Sequence, residues 1–195
     1  MTSSQSISSL PISSLPSNDA IIGVHIKNLK TFPDDRGFFR EIVRSTEPVF
    51  EGGKFAQWSH SKMQKDVVKA WHYHHIQYDW WYLGIGEVET VLVDNREESP
   101  TFGKKLVFRM GDSSLSPVTH EVCVCIPPGV LHGCRVLSPE AHLFYITSVT
   151  YDPNEEGRFP YNQGPVDHDW GPHPIVVDND RRHFVPTSTR IPITS

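Results

Sequence analysis

Cysteine is scarce in this chain, basic residues are outnumbered, and helix breakers are too frequent to leave room for a long helix. Three cysteines, Cys123, Cys125 and Cys134, are too few and too odd in number for a disulfide framework, which points to a reducing compartment, the cytoplasm. Cys123 and Cys125 alternate along an apparent strand and are expected to act as small buried hydrophobes. With 18 Lys and Arg against 23 Asp and Glu, the formal charge is -5, so the chain has no basic footprint for nucleic acid or an anionic membrane. Local basic residues can still hold a phosphate. The first twenty residues are Ser-rich and lack both a basic start and a continuous apolar stretch, which fits neither a signal peptide nor a membrane span. Residues 1–20 are expected to form a flexible tail.

What the chain does have is strands. Ile21–Ile26, Lys69–His74, Trp80–Leu83, Glu87–Val93, Lys105–Phe108, Val122–Ile126 and His142–Thr147 are short runs rich in β-branched and aromatic residues. Gly, Pro, Asp and Asn separate them, and 16 prolines and 13 glycines leave only short helical candidates near Thr46–Phe50 and Ser138–Ala141. An all-β sandwich or barrel follows, and a closed or jelly-roll form would protect the sheet edges. At 195 residues without an internal repeat, one domain over 21–177 is expected, with 178–195 as an extension outside the core.

Two motifs carry candidate chemistry. His72, His74, Asp79 and Gly86 read His-x-His-x4-Asp-x6-Gly, and Pro127 to His132 reads Pro-x-Gly-x-x-His. Residues two apart on a strand share a face, so His72 and His74 point together, and strand pairing can bring Asp79 and His132 alongside. Imidazole and carboxylate suit Fe, Mn, Ni, Co or Zn, and three histidines with one carboxylate leave room for water or substrate. The alternatives are a divalent metal site at His72, His74, Asp79 and His132, an acid/base site, or a wet pocket in a chain with eleven histidines. Trp71, Tyr73, Tyr78, Trp80, Trp81 and Tyr82 can stack on a sugar or base, or pack the barrel or a dimer interface.

A longer set of matches runs along the chain: Asp34–Glu41 (Asp-Asp-Arg-Gly-Phe-Phe-Arg-Glu), Phe55–Ser61, Gly86–Val88, Val93–Gly103 with its Asp-x-Arg-x-x-Ser-Pro-Thr-Phe-Gly core, Ile126–Gly133 and Tyr145. Together they resemble the dTDP-4-dehydrorhamnose 3,5-epimerase family of the cupin superfamily. The resemblance implies a homodimeric cupin jelly roll that binds a nucleoside-diphosphate 4-keto-6-deoxy sugar. It implies His72 as catalytic base and Tyr145 as acid, with Arg36, Glu41 and Gln57 around the nucleotide and diphosphate and His132 in the pocket. A base near neutral pKa is needed because a proton next to a ketone is only weakly acidic, and the enolate must be stabilised as it forms.

The departures from the family are directional. Lys69 stands where the family has an arginine, a point charge in place of a forked guanidinium. Asp79 aligns with the family's lysine near the enolate, and a carboxylate there repels that charge. Gln163 aligns near the aspartate partner of the base, and a glutamine orients an imidazole without stabilising its charge. Three function classes follow: an epimerase or isomerase of a sugar nucleotide, a metal-dependent cupin enzyme such as an oxygenase or isomerase, and a sugar-nucleotide binding protein without turnover.

Overall fold

The computed structural model describes residues 15–187 except 19, 51–53, 164 and 166, so most of the expected tail and the last eight residues lie outside the description. Thirteen strands follow in chain order: β1 His25–Asn28, β2 Thr31–Asp34, β3 Gly37–Arg40, β4 Gln57–Gln64, β5 Val68–His74, β6 Asp79–Ile85 and β7 Glu87–Asp94 come first. Then come β8 Lys105–Gly111, β9 Thr119–His120, β10 Val122–Ile126, β11 Val130–Val136, β12 Glu140–Thr147 and β13 Glu156–Arg158. They form a five-stranded sheet, β1-β10-β6-β12-β4, a six-stranded sheet, β13-β5-β11-β7-β8-β9, and a separate β2-β3 hairpin. Every pairing is antiparallel except β8 with β9. This is the expected jelly roll.

Between the two sheets, alternate residues form an apolar core that includes Val88, Leu92, Phe108, Met110, Val124 and Val136. Two smaller clusters cover the outer faces. Trp71, Tyr73, Val91, Leu131 and Trp170 pack outside the six-stranded sheet. Outside the other, Phe50 stacks on Trp80 at 4.4 Å between ring centres, beside Cys123 and Cys125. The three cysteines are buried and form no disulfide with one another, and burial pushes the Cys123 thiol up to about 12. Among the described residues no helix is long and apolar enough to cross a membrane.

The expected helices are reduced to one 3₁₀ turn, Pro48–Phe50, and another forms at Asp178–Arg181. Ser138–Ala141 is not helical. The Ser138 hydroxyl accepts from Glu87 N at 2.8 Å and donates to Glu140 O at 2.6 Å, a turn that feeds the chain straight into β12. Opposite it, Gly86 has φ +85°, and a Cβ there would lie 2.2 Å from Glu140 O, so the turn between β6 and β7 requires glycine.

The Asp-x-Arg-x-x-Ser-Pro-Thr-Phe-Gly segment is explained by structure. Buried Asp94 accepts from Arg96 Nε at 2.7 Å, Ser99 Oγ at 2.6 Å and Thr101 Oγ1 at 2.5 Å, and Arg96 reaches on to Ile22 O. Against the cost of burial, these bonds hold the Asp94 carboxyl far below the usual carboxylate range. Asp94→Asn should cost about 2 to 3 kcal/mol at neutral pH, read by denaturant unfolding. A depressed folded-state pKa stabilises fully above the unfolded value of about 3.9 and is lost as pH falls below it, so variant and wild type should converge in acid.

Candidate active site

Part of the space between the sheets stays polar: a cavity of about 240 Å³ lined by β4, β5, β6, β11, β12 and β13. His72 and His74 both line it from β5, as their spacing requires. Lys69 lines it too, although it is an odd number of residues from His72. The cause is a bulge: His132 pairs with His72 and Cys134 with Lys69, so three steps on β5 oppose two on β11. Lys69 Nζ then donates to Ser61 Oγ at 2.7 Å across the cavity wall.

His72 is held by a residue the sequence reading placed elsewhere. Its Nε2 lies 2.9 Å from Asp180 Oδ1, and Asp180 is 1% exposed. Gln163 does not take this position; it is exposed and outside the cavity. Residues 178–187, the described part of the expected extension, are tied to the sheet: the 3₁₀ turn buries Asp180 against β5. Arg158 Nη1 donates to the same Asp180 oxygen at 2.8 Å and its other end pairs with Glu156, so the buried carboxylate is matched by an imidazole and a guanidinium. With Nε2–H donating to a carboxylate, the neutral ring keeps its lone pair on Nδ1.

His74 is built the same way one step along the strand. Its Nδ1 lies 2.9 Å from Glu155 Oε2, and the other Glu155 oxygen accepts from Ile76 N at 2.7 Å. Asp79 is buried beyond it, accepting from Gln77 Nε2 at 2.7 Å and Trp81 Nε1 at 3.2 Å. His132 donates from Nδ1 to Val130 O at 3.1 Å. Burial pushes the His74 pKa down, but Asp79 and Glu155 outweigh it and raise the group; burial raises Asp79. His132 falls well below its usual value because it is buried beside two other imidazoles.

Tyr145 enters from β12, opposite Trp81 on one side and Ser59 on the other. It is half-buried, and burial raises its hydroxyl above the usual value against a hydrogen bond from Ser59. It therefore carries its proton at neutral pH. Gln57 lines the same wall and accepts from Tyr151 N at 2.9 Å. Arg36 and Glu41 are not in the cavity: Arg36 pairs with Asp34 on the exposed β2-β3 hairpin, and Glu41 pairs with Arg44 just beyond it. Of the six clustered aromatics only Trp81 faces the cavity; Trp71, Tyr73 and Trp80 pack outside the sheets. The expected four-residue metal set resolves into three, His74, Asp79 and His132, whose ligand atoms lie within 4.8 Å of one another, with His72 outside the group.

A family model described as dTDP-4-dehydrorhamnose 3,5-epimerase matches residues 18–186. The chain belongs to that family. The spore coat polysaccharide biosynthesis protein SpsL of Bacillus subtilis is 39% identical over 153 residues, 77% of this chain and 96% of that protein. The dTDP-4-dehydrorhamnose 3,5-epimerase of Shigella flexneri is 33% identical over 160 residues, 77% and 84% of the two chains. Among solved structures, the 4-keto-6-deoxy sugar epimerase NovW of Streptomyces spheroides superposes with a TM-score of 0.74 at 26% identity, covering 91% of each chain. The Legionella pneumophila epimerase in complex with dTDP-4-keto-L-rhamnose gives 0.70 at 29%, covering 80% and 84%. The family match reaches residue 186 and so includes Asp180.

Asp180, Glu155, Glu156 and Arg158 were missed from sequence because no local spacing relates them to the histidines they serve. Removing the carboxylate in Glu155→Ala strips partners from His74 and two backbone amides in a buried setting, and should cost about 3 kcal/mol, seen as a lowered thermal midpoint.

Proposed function

We propose that this protein epimerises a nucleoside-diphosphate 4-keto-6-deoxy sugar, of the dTDP-linked kind, by moving protons next to the C4 ketone. The observation that carries this reading is the His72–Asp180 pair on the six-stranded wall with Tyr145 on the five-stranded wall opposite. His72 Nδ1 is the base: it takes the proton from the carbon beside the ketone, and the carboxylate at its far nitrogen stabilises the imidazolium that forms. Tyr145, still protonated at neutral pH, returns a proton from the other face of the ring, which inverts the carbon. Lys69, cationic and on the cavity wall, is positioned for a phosphate oxygen.

The intact pair and the tyrosine favour an enzyme over a binding protein without turnover. His72 lies outside the three side chains whose ligand atoms converge, which argues against metal chemistry that uses it as a ligand. Arg36 and Glu41, which the resemblance assigns to the nucleotide, lie outside their own cavity, so they can serve only a second copy's cavity. A homodimer is the arrangement this supports. The hairpin that carries Arg36 exposes Phe38 at 59% and Phe39 at 62%, and the outer face of β4 exposes Trp58 at 67%, apolar surface that a second copy would cover. Three buried cysteines with no disulfide among them favour the cytoplasm.

The test is deuterium uptake from solvent into a dTDP-4-keto-6-deoxyhexose, followed by proton NMR at C3 and C5. Wild type should exchange at least one of these protons. His72→Ala should slow exchange by about 10²- to 10⁴-fold, and Asp180→Asn by about 10²-fold or more. Tyr145→Phe should keep exchange while losing inversion. Tight binding of the nucleotide sugar with no exchange would mean a binding protein.

A further inference from the structure

We propose that His74, Asp79 and His132 form a binding site for one divalent transition-metal cation, and that His72 lies outside it. The site stands on the three strands that build it; what it contributes to epimerisation rests on the function proposed above.

Hydrogen bonding decides which nitrogens are available. Glu155 and the Val130 carbonyl can only accept, so His74 and His132 each carry a proton on Nδ1. In the neutral rings both Nε2 atoms are therefore lone pairs, and both face the same oxygen: His74 Nε2 is 3.9 Å and His132 Nε2 is 4.0 Å from Asp79 Oδ2. Histidines whose second nitrogen donates to a carboxylate or backbone carbonyl are arranged as metal ligands are, with tautomer and ring orientation fixed from outside. Three electron-pair donors meet in a buried spot, where Gln77 Nε2 and Trp81 Nε1 supply hydrogen bonds to them.

The size is close to what a cation needs. Metal–ligand bonds near 2.1 Å at a tetrahedral angle put neighbouring ligand atoms about 3.4 Å apart. Closing the two nitrogen-to-oxygen separations requires about 0.5 to 0.6 Å, and the widest separation in the group, within 4.8 Å, up to about 1.4 Å, which side-chain torsions on the strands would have to supply. Gln77 occupies the gap for now: its amide nitrogen donates to Asp79 Oδ1 and lies 3.2 Å from His74 Nε2. Two imidazoles and one carboxylate match Fe, Mn, Ni, Co or Zn, and three protein ligands leave positions open.

The separation of this trio from His72 removes a conflict, because a ligated His72 has no lone pair left for proton abstraction. Here the base and His74, the one ligand on its strand, are different residues two positions apart, while Asp79 and His132 stand on β6 and β11. A cation there would supply Lewis-acid stabilisation to a substrate oxygen at the place where Asp79 has replaced the family's lysine. Asp79, His74 and His132 would hold it; Gln77 would swing aside.

The test is binding of Co(II) alone to the full chain, followed by its visible absorption and by metal-to-protein stoichiometry, with circular dichroism to check folding. One Co(II) per chain is expected. Asp79→Asn and His132→Asn should abolish it, Glu155→Gln should weaken it by about 10-fold, and His72→Asn should leave it unchanged. Gln77→Ala, which removes the competing amide, should bind at least as tightly as wild type, a gain that misfolding cannot mimic. No Co(II) uptake by folded wild type, or uptake lost in His60→Asn but kept in Asp79→Asn, would overturn the proposal; the second result would place the ion on the exposed His60–His142 pair. Loss of deuterium exchange in His72→Asn with Co(II) binding intact would separate this site from the epimerase reading, and failure of either leaves the other standing.

Discussion

A hydrogen bond between residues 108 positions apart organises the cavity. His72 sits in the middle of β5, where a bulge and the pairing with β11 aim it inward, but a strand alone leaves an imidazole free to rotate and to choose its tautomer. Asp180 removes both freedoms. It reaches the ring only because the chain after β13 runs back along the outer face of the six-stranded sheet, where Trp170 packs on Trp71 at 5.0 Å between ring centres. The apolar packing outside the sheet thus sets the polar geometry inside it. A carboxylate this deeply buried is costly unless paired, and Arg158 together with His72 meets that requirement.

The same device is used twice on one strand. His72 with Asp180 and His74 with Glu155 are two imidazoles, two residues apart, each tied to a buried carboxylate. Their surroundings give them different tasks. The first faces an open cavity with Tyr145 across from it and suits proton transfer. The second faces a buried carboxylate and another imidazole, and suits a positive charge. Asp79 is the centre of this second group: Gln77, Trp81, His74 and His132 are all arranged around it.

The strand framework was readable because β5, β6, β7, β8, β10 and β12 carry apolar residues at alternate positions or throughout. β4 escaped notice for a physical reason: its inward side chains Gln57 and Ser61 line a polar cavity, while Trp58 points out, so its alternation runs against the usual rule. The convergence of His74, Asp79 and His132 was legible in their spacing. The facing of Lys69 was not, since a bulge leaves no mark in composition. Asp180 could not be found from local pattern either, and alignment by similarity pointed to Gln163, 17 residues too early. The Asp94 motif shows the opposite case, a long match whose residues knit a loop and do no chemistry.

The claim that most needs testing is that His72 is held as the neutral tautomer with its proton on Nε2 and its lone pair on Nδ1. Nitrogen-15 NMR of the histidine side chains, assigned by comparison with His72→Asn, reads this directly. The account predicts that the singly protonated His72 ring carries its proton on Nε2 and leaves Nδ1 bare, with the preference lost in Asp180→Asn. A bare Nε2 in the wild type, or a tautomer indifferent to position 180, would contradict it.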